Sequence, residues 1–327
     1  MGSIRFTLPR RSFLALSLLA AGARAATFPT PGRPIRLLVG YPAGGGTDLQ
    51  ARLLAQQLSE SLGTPVVVDN KPGAGTMIAA TELAKSAADG HVLMYTPAST
   101  LTQLPQTMQA VRYDPLREFT PVAQCALGPV VLVLHASVPA ANLRELVAYA
   151  KKHPGELNYV SQGIGTSAHV FGQMLARQAG IDIVHVPYKG ANDVAKDFLA
   201  GRVQLQFASS SAAAQLARSG QVRLLGVVAP RRSALFPDLP TMSELGMDGM
   251  DMDTSLGVIA PAHMPQEIVT RVSDALRAAL DVPRVREEFR NGAVEVKWAG
   301  PAEFSETIRD SHRAWGRLLA SIGYVRQ

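Results

Sequence analysis

The chain has 327 residues and 32 lysines and arginines against 26 aspartates and glutamates, a formal charge of +6. Four of those bases, Arg5, Arg10, Arg11 and Arg24, fall in residues 1–25, which carry no acid; taking them from 32 leaves 28 against 26, or +2. No lysine/arginine run survives outside that stretch, which excludes a nucleic-acid footprint, and the length allows two domains.

The first 25 residues read as a cleaved export signal. A basic start ends at Arg11, an apolar run covers Phe13 to Ala21, and Ala23-Arg24-Ala25 fits a small-residue cleavage site. The apolar run is well short of the ~20 residues a spanning helix needs, so no membrane insertion is expected after cleavage. Arg10-Arg11-Ser12-Phe13-Leu14 resembles a twin-arginine export signal, and an ordinary secretory signal stays open beside it. The sole cysteine, Cys125, can form no internal disulfide and reads as a buried structural thiol.

The next elements are a strand at Ile35–Val39, the turn Tyr41-Pro42-Ala43-Gly44-Gly45-Gly46-Thr47-Asp48, and a helix with apolar residues at Leu49, Leu53, Leu54, Leu58 and Leu62. Three glycines permit a sharp turn and close approach to a ligand, and Thr47 or Asp48 is expected to cap the helix. The amides of that first turn would favour an anion. No lysine follows the glycines, so the turn is not a P-loop, and a small carboxylate is the expected guest. A strand at Val66–Val68 then leads to Asp69–Gly75, which reads as a surface turn or packing loop. A helix near 77–87 and a strand at Val92–Tyr95 precede Thr96-Pro97-Ala98-Ser99-Thr100. Strands alternating with helices predict an α/β fold with parallel units, whose ligands bind beyond the carboxyl ends of strands.

A domain boundary is expected near 125, giving domain 1 as 26–124 plus 254–327 and domain 2 as 125–253. The second part has strands at Val130–His135 and Leu157–Val160, and a helix at 142–152. Then comes Ser161-Gln162-Gly163-Ile164-Gly165-Thr166-Ser167-Ala168-His169, with a helix showing Val170, Phe171, Met174 and Leu175 on one face. Strand, glycine turn, threonine and helix thus occur twice, so two helix N-termini of matching chemistry could face each other across a cleft. His185-Val186-Pro187-Tyr188-Lys189-Gly190 and a helix near 191–200 follow. Strands at Val203–Phe207 and Val222–Val228, a loop-rich stretch at 231–253, and a returning strand at Leu256–Ile259 come next. Helices at 265–280, 283–291 and 301–321 close the chain. His135, His169 and His185 lack metal-site spacing, and Asp248–Asp253 lacks the ligands of a calcium loop, so neither metal nor cofactor is expected. No Gly-x-Ser-x-Gly, His-Glu-x-x-His or Cys-x-x-Cys occurs, which leaves little for an enzyme.

These landmarks together resemble the Bug-type extracytoplasmic solute receptors of tripartite tricarboxylate transporter systems. The residues carrying the match are Tyr41–Asp48, Val67–Gly75, Asp89-Gly90, Tyr113-Asp114-Pro115-Leu116, Leu157-Asn158-Tyr159, Gly163–Thr166 with His169, and His185–Gly190. Leu239-Pro240-Thr241, Glu244-Leu245-Gly246 and Ala260-Pro261 complete it, in order along the mature chain. The resemblance implies a type II periplasmic-binding-protein clamshell, each domain a mixed sheet flanked by helices. It implies a periplasmic, monomeric receptor that passes a small carboxylate to membrane transporter subunits or to a sensor. It places the carboxylate between Ala43–Asp48 and Ser161–Ser167, with Tyr41, Ser99, His169 and Lys189 as further candidates. Two departures fall on the expected distal wall. Ala208-Ser209 stands where many members have Asp-Asn, and Ser255-Leu256 where many have an aromatic pair. The first argues against an ammonium-bearing ligand, the second for a bulkier one. A secreted enzyme acting on a carboxylated substrate is the alternative from another class.

Overall fold

A computed structural model describes residues 28–188, 191–252 and 254–327; the export signal expected at 1–25 and Lys189 lie outside the described residues. In chain order the strands are β1 Ile35–Val39, β2 Val66–Asn70, β3 Val92–Pro97, β4 Phe119–Leu127, β5 Val130–His135, β6 Leu157–Ser161, β7 Ile183–Pro187, β8 Leu205–Ser209, β9 Val222–Val228, β10 Ser255–Pro261 and β11 Glu295–Ala299. They form two sheets. One has the order β11-β4-β10-β3-β1-β2 and the other β7-β6-β8-β5-β9. The first triplet is parallel, with β1 between β2 and β3, and β10 enters antiparallel between β3 and β4.

Each sheet is covered on both faces, which is why its central strands read as continuous apolar runs. In β1, Leu37 and Val39 enter one core and Leu38 the other. The first core is closed by helices α1 (Gly46–Leu62) and α9 (Gln266–Asp281), the second by α2 (Met77–Ala84) and by Phe304 and Ile308 of α11 (Pro301–Ser321). In β5, Val130, Leu132 and Leu134 face α5 (Leu143–Lys152) and α6 (Ser167–Ala179), while Val131 and Val133 face α7 (Ala191–Leu199) and α8 (Ser210–Ala217). The loop-rich stretch after β9 holds no helix or strand among its described residues, yet it supplies Met242, Met247 and Met250 to the α6 side of the second core.

The chain crosses between sheets at Gly128-Pro129 and again before Ser255, a few residues beyond the expected 124/125 boundary on the first pass. Gly128 N donates to Thr254 O at 3.0 Å, tying the two crossings together. A Cβ built on Gly128 would lie 2.8 Å from Ser210 Oγ, so this hinge position has no room for a side chain. Helix α11 makes a third link, because Trp315 and Leu319 at its far end sit in the core of the second sheet.

Several boundaries shift from expectation. Helix α2 ends at Ala84, short of 87, and the strand expected at 203–207 runs from Leu205 to Ser209, where pairing with β5 begins. Strands β4 and β11 and helix α8 were not anticipated.

Candidate functional site

Helix α1 starts directly beyond β1, and its N-cap is Gly45, with no side-chain cap. The expectation that Thr47 or Asp48 caps it is therefore corrected. The first intrahelical bond is Leu49 N to Gly45 O, which leaves the amides of Gly46, Thr47 and Asp48 without intrahelical acceptors. Gly44 holds φ +83°, a conformation that favours glycine. Asp48 turns back from the third helical position: its carboxylate accepts from Gly44 N, Arg52 Nε and Asn70 Nδ2, each at 2.9 Å. Burial pushes this carboxyl up, but the bonds from Arg52, Gly44 and Asn70 together outweigh it and hold it below the ordinary 3.8. Asp48 thus braces the loop from behind, and Asn70 Nδ2 also donates to Tyr41 O at 3.0 Å. The Tyr41 ring packs on the first core, and burial raises its hydroxyl to about 12. Ala43 and Gly44 are exposed and Gly45, Gly46 and Thr47 half-buried.

The second jaw repeats the arrangement with different supports. Thr166 is the N-cap of α6 but caps no amide; its hydroxyl donates to Gly163 O at 2.7 Å, leaving the first-turn amides of Ser167, Ala168 and His169 without intrahelical acceptors. Ser161 Oγ meets Gly163 O at 2.9 Å, Gly163 N at 3.2 Å and His185 Nε2 at 2.7 Å. Gly165 N donates to His169 Nδ1 at 3.0 Å. The two imidazoles lie 4.3 Å apart, and Tyr159 stacks on His185 at 4.8 Å. Burial lowers His169 from 6.5; burial, then the charge of His169, lowers His185 to about 4. His169 is therefore a brace inside the jaw.

The jaws meet. Gln103, buried just past the short helix α3 (Ser99–Thr102), donates through Nε2 to Gly165 O at 2.7 Å and accepts from Ser167 Oγ at 2.5 Å. Thr107 Oγ1 also donates to Gly165 O at 2.7 Å. A Cβ on Gly46 would come 2.9 Å from Ser211 Cβ, and one on Gly75 3.3 Å from Thr166 Cγ2. The segment Asp69–Gly75, expected to be an ordinary turn, thus reaches the opposing domain at its Gly75 end. It passes into Thr76, which is buried at φ +92° and hydrogen-bonded through Oγ1 to Thr100 Oγ1 at 2.8 Å.

Ser99 opens α3 and is half-buried at the same end of the first sheet. Ser209 is exposed and caps α8, accepting from Ala212 N at 3.4 Å. Ala208 packs into the second core with Val131 and Val133, so it is corrected from wall to core, and the argument it gave against an ammonium ligand lapses. Leu256 likewise belongs to the first core. Sequence reasoning missed Gln103 and Ser211, which carry no motif, and His185, whose signal was only its place in His185–Gly190. Two open depressions, about 420 Å³ beside Arg177 and about 620 Å³ beside Arg271, lie on outer faces and contain none of these residues. Among the described residues no group of three His, Cys, Asp or Glu could hold a metal, and no helix is long and apolar enough to cross a membrane. Uncapped first-turn N–H dipoles at the start of α1 and of α6 are each of a kind that suits an anion.

Comparison with known proteins gives the same picture. The model of the tripartite tricarboxylate transporter family receptor matches residues 50–324. Protein BugT of Bordetella pertussis is 33% identical over 312 residues, covering 95% of each chain. The periplasmic binding protein BugD superposes with a TM-score of 0.84 at 30% identity, over 91% of this chain and 100% of BugD. A protein of R. palustris solved with adipate gives the same TM-score and identity, over 91% of this chain and 99% of its own. The two-sheet clamshell is thus that of a periplasmic binding protein, and the family is one of solute receptors. The chain belongs to the tripartite tricarboxylate transporter receptor family, the Bug-type periplasmic solute-binding proteins.

Proposed function

We propose that this receptor captures a small carboxylate in the cleft between the two sheets, in the periplasm once residues 1–25 are removed. It then delivers the solute, as a monomer, to a tripartite tricarboxylate-type membrane transporter. In this reading the lobes are residues up to 127 with 254–327, and 128 to 252. What supports it is that each lobe carries a helix N-terminus, at Gly46–Asp48 and at Ser167–His169, whose amides have no intrahelical acceptors and no side-chain caps, beside the cross-lobe contacts of Gly46 with Ser211 and of Gly165 with Gln103. The jaw residues described here present no free lysine or arginine; Arg52 is engaged by Asp48. Each charge-assisted bond from a fixed amide would contribute about 1.5–3 kcal/mol, so a few of them suffice to hold one carboxylate as the jaws exclude water.

Ser99, Thr166, Ser167 and Ser209 are the side chains assigned to orient the ligand, with Lys189 as a further candidate. That the R. palustris relative was solved with adipate supports a dicarboxylate, and this reading puts its second group toward Ser209 and Ser211. A calorimetric screen of mono-, di- and tricarboxylates and amino acids tests this. Saturable binding of a dicarboxylate that disappears in Gly46→Val is expected. Binding of uncharged solutes only, or dicarboxylate binding untouched by Gly46→Val, would overturn it.

A further inference from the structure

We propose that His169 is the positioning residue of the second jaw: its unprotonated Nδ1 holds the Gly165 amide, and a proton on that atom releases the loop and opens the receptor. The inference rests on the carboxylate reading for its consequence, not for its geometry.

Gly165 is clamped from both lobes. Its N–H is held by His169 Nδ1 at 3.0 Å within the second lobe, and its carbonyl by Gln103 Nε2 and Thr107 Oγ1 of the first, both at 2.7 Å. Gly165 sits between the two clamped peptide planes at φ +79°, and without a Cβ it can change φ and ψ at little steric cost if one clamp fails. An imidazole nitrogen that accepts a hydrogen bond carries no proton, so His169 is the Nε2–H tautomer. Adding a proton at Nδ1 sets two N–H groups head to head and removes the acceptor. Gly165 must then turn, and the turn misaligns the cross-lobe bonds that close the cleft.

His185 differs in kind. Its Nε2 meets a hydroxyl, Ser161 Oγ at 2.7 Å, and a hydroxyl accepts from a ring N–H in either charge state, while Ser161 can donate to Gly163 O. Of the bonds made by these two rings, the one from Gly165 N to His169 Nδ1 is the one that acid breaks. The groups facing the two rings are Tyr159, stacked on His185, Tyr324, edge-on to His169 at 6.3 Å, and Ser161; none is an anion that would steady an imidazolium. Burial raises both tyrosine hydroxyls, Tyr159 further through Tyr324, so neither becomes one. Burial lowers both rings, and the neighbouring His169 lowers His185 further.

The test is a pH titration of the purified, ¹⁵N-labelled protein, followed by nuclear magnetic resonance, beside calorimetry with adipate. The wild-type Gly165 amide is expected to move with the His169 ring, whose Nδ1 is bare at neutral pH. In His169→Asn, where the amide oxygen is an acceptor at every pH, the Gly165 signal stays fixed. Adipate's own carboxylates take up protons in the same acid range and weaken binding to both proteins alike, so the readout is the difference: wild-type affinity falls up to about tenfold per pH unit more steeply than that of His169→Asn below the His169 midpoint. A Gly165 amide indifferent to His169 titration, or an Nδ1 that already carries the proton near neutrality, overturns the proposal without any variant. If adipate binds at no pH, the dicarboxylate reading fails on its own, and the amide titration still decides the role of His169.

Discussion

Gln103 Nε2 reaches across the cleft to the Gly165 carbonyl at 2.7 Å, and the same side chain accepts from Ser167 Oγ. One fully buried amide therefore satisfies a backbone acceptor and a hydroxyl of the opposite lobe at once. Gln103→Ala leaves Thr107 as the only donor on Gly165 O and strips Ser167 of its acceptor. A buried polar group left unpaired costs about 1–3 kcal/mol, here charged to the closed form alone. The variant is expected to fold, to bind its ligand roughly five- to 150-fold more weakly, and to show a larger radius of gyration in small-angle scattering. Unchanged affinity and radius would show that the contact follows closure without supporting it.

Gly46 and Ser211 set how near the jaws come. A Cβ on Gly46 would lie 2.9 Å from Ser211 Cβ and 3.1 Å from its Oγ. Alanine is the better helix former, so Gly46→Ala leaves or raises the unfolding midpoint. It nevertheless weakens ligand binding, because the methyl group holds the lobes apart. Ser211→Gly removes the obstacle, and the double variant is expected to recover at least 0.5 kcal/mol of coupling, on the order seen for residues in contact. Additive losses in a double-mutant cycle by calorimetry would disprove the contact.

What the sequence made readable follows from burial. Strands β1, β5 and β9 stand out as apolar runs because helices cover both faces of their sheets. Strand β4 hides behind Thr120, Pro121 and Gln124, and β11 lies at a sheet edge with most of its residues exposed or half-buried. Helix α8 begins Ser-Ser-Ala-Ala-Ala, with no apolar period, and only Ser209 as cap marks it. For the jaws, the glycines revealed where the backbone turns. They could not reveal which amides stay free, since that depends on Asp48 folding back on Gly44 and His169 on Gly165. His185 reaches Ser161 only because β6 and β7 pair in parallel, opposing Tyr159 to His185.

Cys125 lies in the first core with no exposure, and burial raises its thiol to about 12. A thiol that far above neutral pH has almost no thiolate to attack a reagent. The native protein is expected to resist a thiol-specific chromogen for hours and to react with one equivalent once unfolded in guanidinium. Rapid labelling of the native state would place the thiol at a mobile or open surface instead.

Acid should act on this protein in two separate windows. His169 and His185 have pKa values lowered from 6.5, His185 to about 4, so the unfolded chain binds protons there that the folded chain refuses. Their contribution is complete above 6.5 and fades as the pH falls toward 4. Asp48 is held below 3.8, so its contribution is intact above that value and is lost only as the pH falls through its lower folded value. Asp48→Asn removes one share of the second window, which Asp89, Asp197 and Glu244, also held below their ordinary values, share with it. Its new NH₂ group must also face Gly44 N and Arg52 or displace Asn70, which costs about 1–3 kcal/mol at neutral pH. Urea unfolding at a series of pH values is the measurement. The wild type should lose stability in both ranges, and Asp48→Asn should start lower, run parallel above 3.8 and fall less steeply below it, the remaining slope coming from Asp89, Asp197 and Glu244. A variant curve that keeps the wild-type slope below 3.8 would mean that Asp48 is not one of the carboxylates titrating there.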